Sequence, residues 1–297
     1  MSFRVLLPQQ SIDFVRRDLG YGVGLTWNPY ALLRTSDGGA SWTVVSSAPN
    51  GTYAVSFVDD RHGVAMAFSP ELSQTLDGGK KWAGIWGQLA FAALFRRGTG
   101  VALHYKQGVL APQIYSLHGA GSAPQPIKGA TLPVDLLQTR VDAYALGFGT
   151  PTSGWFLSLR SGKPSLWHTR STGRTWTRVP LPVHLRGKLN QAWLAAAGKN
   201  VLWIAIYPEE SHNAEHVALL RSSDGGRHWA LSRLPIWMVQ SEPNDQILSA
   251  TPSEDAWIIT PDGVFRTTDG GRRWTQAAQP ASWLRDARSS DPYDGSQ

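Results

Sequence analysis

The chain has 297 residues, no cysteine, 14 Trp and 30 Gly, and carries 28 Lys+Arg against 22 Asp+Glu for a formal net charge of +6. Without cysteine there are no disulfides, no thiolate metal ligands and no thiol nucleophile. The basic residues fall in runs of two at most (Arg16-Arg17, Lys80-Lys81, Arg96-Arg97, Arg272-Arg273), which argues against a nucleic-acid surface but leaves room for an acidic partner or an anionic membrane surface.

No window is long and apolar enough for a membrane span. The first ten residues lack the long apolar core of a signal peptide. The compartment is left open, with a secreted or cell-surface protein whose leader has been removed as the preferred expectation.

In chain order, Phe3-Arg-Val-Leu-Leu-Pro8 reads as a strand, similar to the segments after Trp176 and Trp229. The first full unit then begins: Ile12-Asp-Phe-Val15, Gly20-Tyr-Gly-Val-Gly24, and a turn Thr35-Ser-Asp37-Gly-Gly39-Ala-Ser-Trp42. The second repeats it with Val55-Ser-Phe-Val58, Gly63-Val-Ala-Met66 and Thr75-Leu-Asp77-Gly-Gly79-Lys-Lys-Trp82. The next intact turn ends at Trp176, twice the usual spacing away, so a degraded copy is expected midway; Ser116-Leu-His118-Gly-Ala-Gly121 fits, without the Asp or the Trp. The fourth unit has Tyr144-Ala-Leu146, Gly154-Trp-Phe-Leu157 and Thr169-Arg-Ser171-Thr-Gly173-Arg-Thr-Trp176, with Ser in place of Asp. The fifth has Ala192-Trp-Leu194, Val201-Leu-Trp-Ile204 and Ser222-Ser-Asp224-Gly-Gly226-Arg-His-Trp229. The sixth has Ile247-Leu-Ser249, Ala256-Trp-Ile-Ile259 and Thr267-Thr-Asp269-Gly-Gly271-Arg-Arg-Trp274. Residues 281–297 lose the pattern and are expected to form a flexible tail.

The repeat averages about 46 residues, the length of a four-stranded propeller blade. Each unit reads strand A, strand B, strand C, turn, strand D. The expected fold is therefore all-β: one propeller domain over residues 1–280, with six four-stranded antiparallel blades, or seven if the N-terminal strand seeds another sheet. Residues 1–8 are expected to close the ring and remove an open edge. The turn has its own logic. The Asp or Ser side chain accepts from backbone N–H groups of the turn, the Gly pair takes positive φ without steric cost, and the Trp is expected to pack back under the turn.

These turns resemble the BNR/Asp-box repeat, Ser/Thr-x-Asp-x-Gly-x-x-Trp, found in sialidases, xyloglucanases, the sortilin ectodomain and photosystem II stability/assembly factor-like proteins. The resemblance covers about residues 10–280 and is most like the assembly-factor and sortilin-type members, which are not catalytic. It implies a propeller but not one activity, because the family mixes enzymes with binding proteins.

In such a blade the Asp-box turns share one face with the A–B turns, while B–C loops and D–A links form the other. The resemblance places ligands on this second face, over the central channel. The candidates there are Trp27, Tyr30, Trp86, Tyr105, Tyr207, Glu209, Glu210, His212, His216 and Trp237. Aromatic side chains among polar groups suit contact with sugars or peptides. The 207–217 stretch is the longest B–C loop; His212 and His216 with its Glu residues have metal-ligand chemistry, but the reading is a solvated polar loop and no metal or other cofactor is expected.

Enzyme signatures are weak. Phe3-Arg4-Val5 only faintly resembles the motif preceding the first box of sialidases, and Arg4 has no evident partners for a carboxylate-binding triad. A glycosidase needs two facing carboxylates, and no pair stands out among Glu71, Glu209, Glu210, Glu215 and Asp262. No Gly-x-Ser-x-Gly elbow is present. Asp37, Asp77, Asp224 and Asp269 are assigned to the turns. The expected function is a monomeric, non-catalytic scaffold for a protein or glycan, with no nucleic acid and no membrane span; a glycoside hydrolase or sialidase-like enzyme is the alternative.

Overall fold

The computed structural model describes residues 11–24, 31–67, 71–87, 89–95, 99–104, 113–118, 124–133, 143–182, 189–208, 218–233, 247–260 and 263–278. They form six four-stranded antiparallel sheets, each made of four strands consecutive in sequence. Blade 1 is β1 (Ser11–Phe14), β2 (Gly20–Gly24), β3 (Ala31–Thr35) and β4 (Thr43–Ser47). Blade 2 is β5 (Thr52–Phe57), β6 (Gly63–Ala67), β7 (Glu71–Thr75) and β8 (Ala83–Gly87). Blade 3 is β9 (Leu89–Phe95), β10 (Thr99–His104), β11 (Gln113–His118) and β12 (Gln125–Thr131). Blade 4 is β13 (Ala143–Phe148), β14 (Gly154–Arg160), β15 (Lys163–Thr169) and β16 (Thr177–Val179). Blade 5 is β17 (Leu189–Ala197), β18 (Val201–Pro208), β19 (Ala218–Ser222) and β20 (Ala230–Arg233). Blade 6 is β21 (Ile247–Ala250), β22 (Ala256–Thr260), β23 (Gly263–Thr267) and β24 (Thr275–Ala278).

First strands touch in sequence, β1 on β5, β5 on β9, β9 on β13, β13 on β17, β17 on β21 and β21 back on β1. That closed circuit makes a six-bladed propeller. The expected ring-closing strand of residues 1–8 and the expected tail lie outside the described residues.

The seam between blades 6 and 1 is built from side chains. Phe14 stacks on Trp257 at 3.8 Å between centroids, and its N–H donates to Ser249 Oγ. Trp257 Nε1 donates to the Gly38 carbonyl at 2.9 Å. Buried Asp255 accepts from Arg17 Nε at 3.1 Å and from Arg266 at 3.4 Å, with Ser253 donating to its other oxygen.

The core lies between blades, where apolar faces of neighbouring sheets meet. Trp155, Trp203, Trp257 and Tyr21, each near the start of a second strand, are among the largest fully buried side chains. Each stands directly across the ladder from a basic or imidazole residue of the third strand: Tyr21 from Arg34, Trp155 from His168, Trp203 from Arg221 and Trp257 from Arg266. Arg221 and Arg266 lie over their indoles at 5.7 and 5.2 Å, and His168 stacks on Trp155 at 3.8 Å. The two arginine–indole contacts let a charged residue fill a blade interface without an isolated buried charge. His168 bonds Ser153 Oγ at 2.9 Å. Burial, then the nearby Arg170, pushes its pKa down to about 4, so the ring is neutral.

Candidate functional site

The Asp-Gly-Gly turns are held by local bonds. Thr35, Thr75, Thr169, Ser222 and Thr267 each accept the N–H four residues on, from Gly39, Gly79, Gly173, Gly226 and Gly271, at 2.8 to 2.9 Å. In four turns the same hydroxyl donates to the carboxylate of Asp37, Asp77, Asp224 or Asp269 at 2.7 to 3.0 Å. That carboxylate accepts the N–H of Ser41, Lys81, His228 or Arg273 at 2.9 to 3.0 Å. Ser171 does the same with its hydroxyl, accepting Thr175 N–H at 2.9 Å.

The acidities follow from these bonds. Burial alone would raise Asp37, but the hydroxyl and N–H of Ser41 and the hydroxyl of Thr35 outweigh it and hold the pKa at about 2. Asp224 is lowered first by His228 N–H and then by the His228 ring and Ser222. Asp77 and Asp269 are lowered first by the N–H groups of Lys81 and Arg273. None of these carboxylates is a proton donor near neutral pH.

The turn also ties the two hairpins of its face together. Gly38, Gly78, Thr172, Gly225 and Gly270 donate their N–H to carbonyls of the A–B turns, at Asp18, Arg61, Thr152, Asn200 and Glu254. The second glycine of each turn has φ between +81 and +94° and presses on the preceding blade. A β-carbon on Gly79 would meet Leu32, on Gly173 Ile114, on Gly226 Val179, and on Gly271 Ser232 and Trp203.

The tryptophans differ from the sequence expectation. Trp42 Nε1 does bond its own turn, at the Gly39 carbonyl. Trp176, Trp229 and Trp274 instead reach the preceding blade, at the carbonyls of Thr131 and Pro180 and the hydroxyl of Ser232. Trp82 packs edge-on to Phe57. In those three turns the indole N–H finds its acceptor on the preceding blade, while Trp82 Nε1 finds none among the described residues. The degraded copy sits where blade 3 places its C–D connection: β11 ends at His118, and Ser116 Oγ donates to the Gln125 carbonyl.

On the opposite face, Trp27, Tyr30, Tyr105, Glu209, Glu210, His212, His216 and Trp237 lie outside the described residues. Trp86 and Tyr207, expected in a link and a loop, belong instead to β8 and β18, where Trp86 pairs with Leu72 and Tyr207 with Gln191. The ladders simply run further than the turn-rich sequence implies. Tyr53 is in β5 at a bulge between Thr52 and Ala54 and is 4% exposed. Burial, and then the nearby Tyr144, pushes its hydroxyl up to about 12. Tyr53, Tyr144 and Trp193 pack into cores between blades: Tyr53 with Val64, Met66 and Leu72, Tyr144 against Leu146, Phe148 and Phe156, and Trp193 against the cluster of Trp203 and Leu248.

Among the described side chains, every Asp and Glu except Asp13 lies in an A–B or C–D turn on the face away from the B–C loops. Asp13 is on β1, where its Oδ2 accepts Phe57 N–H of the next blade at 2.6 Å. Burial pushes its pKa up to about 6, against the lowering effect of Phe57 N–H and Ser56. No group of three or more His, Asp or Glu gathers as a metal site among the described residues.

No protein-family model matches the chain, and no curated protein matches it. Solved structures do. YCF48 bound to D1 peptide is 19% identical with a TM-score of 0.50, covering 91% of this chain and 81% of that one. YCF48 from Cyanidioschyzon merolae is 16% identical with a TM-score of 0.52, covering 90% and 85%. The GH74 xyloglucanase from Xanthomonas campestris is 15% identical with a TM-score of 0.53; it covers 91% of this chain, which spans 47% of that enzyme. These likenesses establish a propeller fold.

Proposed function

We propose that this protein is a non-catalytic binding scaffold of the BNR/Asp-box kind. It recognises a protein or glycan partner through the face opposite the Asp-Gly-Gly turns. The observation that carries the reading is the commitment of the Asp-box carboxylates: Asp37, Asp77, Asp224 and Asp269 are each held by hydrogen bonds of their own turns, on the face away from the B–C loops. Glycoside hydrolysis needs two carboxyl groups about 5 to 10 Å apart across a sugar bond. Aromatic rings give contact area and stacking without such a pair. A propeller neighbour in complex with a peptide, YCF48 bound to D1 peptide, is consistent with protein recognition on this fold.

The test joins capture to turnover. The whole chain is used as bait for peptide and glycan arrays, beside Trp27→Ala and Trp237→Ala forms, and is assayed on xyloglucan, aryl glycosides and sialosides. The reading expects a defined ligand that either substitution weakens, and no turnover. Turnover abolished by Glu209→Gln or Glu210→Gln would replace it with the hydrolase alternative.

A further inference from the structure

The face carrying the Asp-Gly-Gly turns has a second pattern that the turns do not need. The two positions between the second glycine and the tryptophan are Lys80-Lys81, Arg174-Thr175, Arg227-His228 and Arg272-Arg273 in four blades, and all eight residues are exposed. Arg170, just before Ser171, adds another exposed cation. Equivalent positions of a propeller lie at one height around the axis, so these side chains form a coplanar basic rim.

Several nearby acids are paired with cations outside the rim: Asp18 with Arg16, Asp59 with His62, and Asp255 with Arg17 and Arg266. The turn carboxylates stay ionised and engaged within their own turns, Asp224 also holding His228. In blade 4 the turn carboxylate is replaced outright by Ser171. Leu76, within the blade 2 turn beside Lys80-Lys81, is one of three large apolar side chains exposed among the described residues, at 44%.

We propose that this rim docks the protein on an anionic lipid bilayer surface, with the cations against headgroups and Leu76 entering the interface. The occupant follows from geometry. Cations spread around a ring at one height are engaged together only by a planar, extended anion. A peptide strand would need free backbone partners, but the turn N–H groups of Gly38, Gly39, Gly78, Gly79, Gly225 and Gly226 are already bonded within the protein. An exposed leucine in the same turn as two lysines suits the boundary between headgroups and acyl chains.

The test is sedimentation of the full chain with vesicles of pure phosphatidylcholine and with about 30 mol% phosphatidylserine, where each cation at the surface is worth about fivefold in affinity. Lys80→Ala/Lys81→Ala/Arg272→Ala/Arg273→Ala is expected to lose binding on the order of a hundredfold or more, and Leu76→Ser by a smaller factor, with circular dichroism unchanged. Arg160→Ala/Lys163→Ala, exposed on the opposite face, is the matched control and keeps full binding. Binding should also collapse at about 0.5 M salt, where screening is short-ranged. Equal binding to neutral vesicles, equal loss in the control, or no binding to phosphatidylserine vesicles overturns the proposal. So does binding that a soluble acidic polypeptide supports while vesicles do not. Failure here leaves the opposite-face scaffold reading untouched, because its ligands and substitutions are different.

Discussion

Asp13→Asn isolates the one described carboxylate that the ring holds against its chemistry. Asp13 lies on the innermost strand of blade 1, and burial raises its pKa from 3.8 to about 6. A shift of about 2 units corresponds to about 3 kcal/mol between protonation states, an upper value because the side chain keeps some solvent access. The folded pKa lies above the unfolded one, so acid favours the folded state here. Asp13's contribution is fully present below about pH 4 and is lost as pH rises through about 6. Asparagine keeps an oxygen to accept the Phe57 N–H but carries no charge. Asp13→Asn should therefore match the parent below pH 4 and exceed it by up to about 3 kcal/mol at pH 8. Urea unfolding read by tryptophan fluorescence from pH 4 to 8, taken as variant minus parent, cancels the other titrating groups. A difference that does not change with pH, or a parent more stable at pH 8, would refute the reasoning, because the carboxylate would then be a favoured acceptor.

Other substitutions test the turns and seams. Gly79→Ala meets Leu32 at a φ of +91° and should cost about 3 kcal/mol by urea unfolding, the sum of left-handed strain and overpacking. Thr35→Val removes the acceptor of the buried Gly39 N–H and should cost about 1 to 3 kcal/mol in the same assay. Asp255→Ala strips Arg17 and Arg266 of their shared carboxylate; a loss of about 3 kcal/mol is expected in thermal unfolding, the low end for a buried pair because Arg17 stays solvated. His168 is held below its ordinary value, so the parent should lose stability as pH falls from 6.5 towards 4, and His168→Phe should flatten that segment of the pH profile.

The turns were legible because their bonds are short in sequence. Thr35 to Gly39 and Asp37 to Ser41 each span four residues, so residue types at fixed offsets report the contact directly. The repeat of that signal set the blade length, and with the degraded copy around Ser116 it set six blades. The candidate face was legible only as a face. Trp86 was misplaced because its Gly-rich neighbours resemble a link, whereas the ladder partner that keeps a residue in strand stands on another segment.

What the sequence determined by itself is the local device and its period: hydroxyl, carboxylate, glycine pair and tryptophan, repeated in register. What the tertiary structure decided is how one blade meets the next. Arg17 finds Asp255 across 238 positions, Trp176 finds Thr131 across 45, and Asp13 finds Phe57 across 44. No spacing rule within a unit predicts those partners, because ring closure brings them together and low-dielectric seams then set their energies.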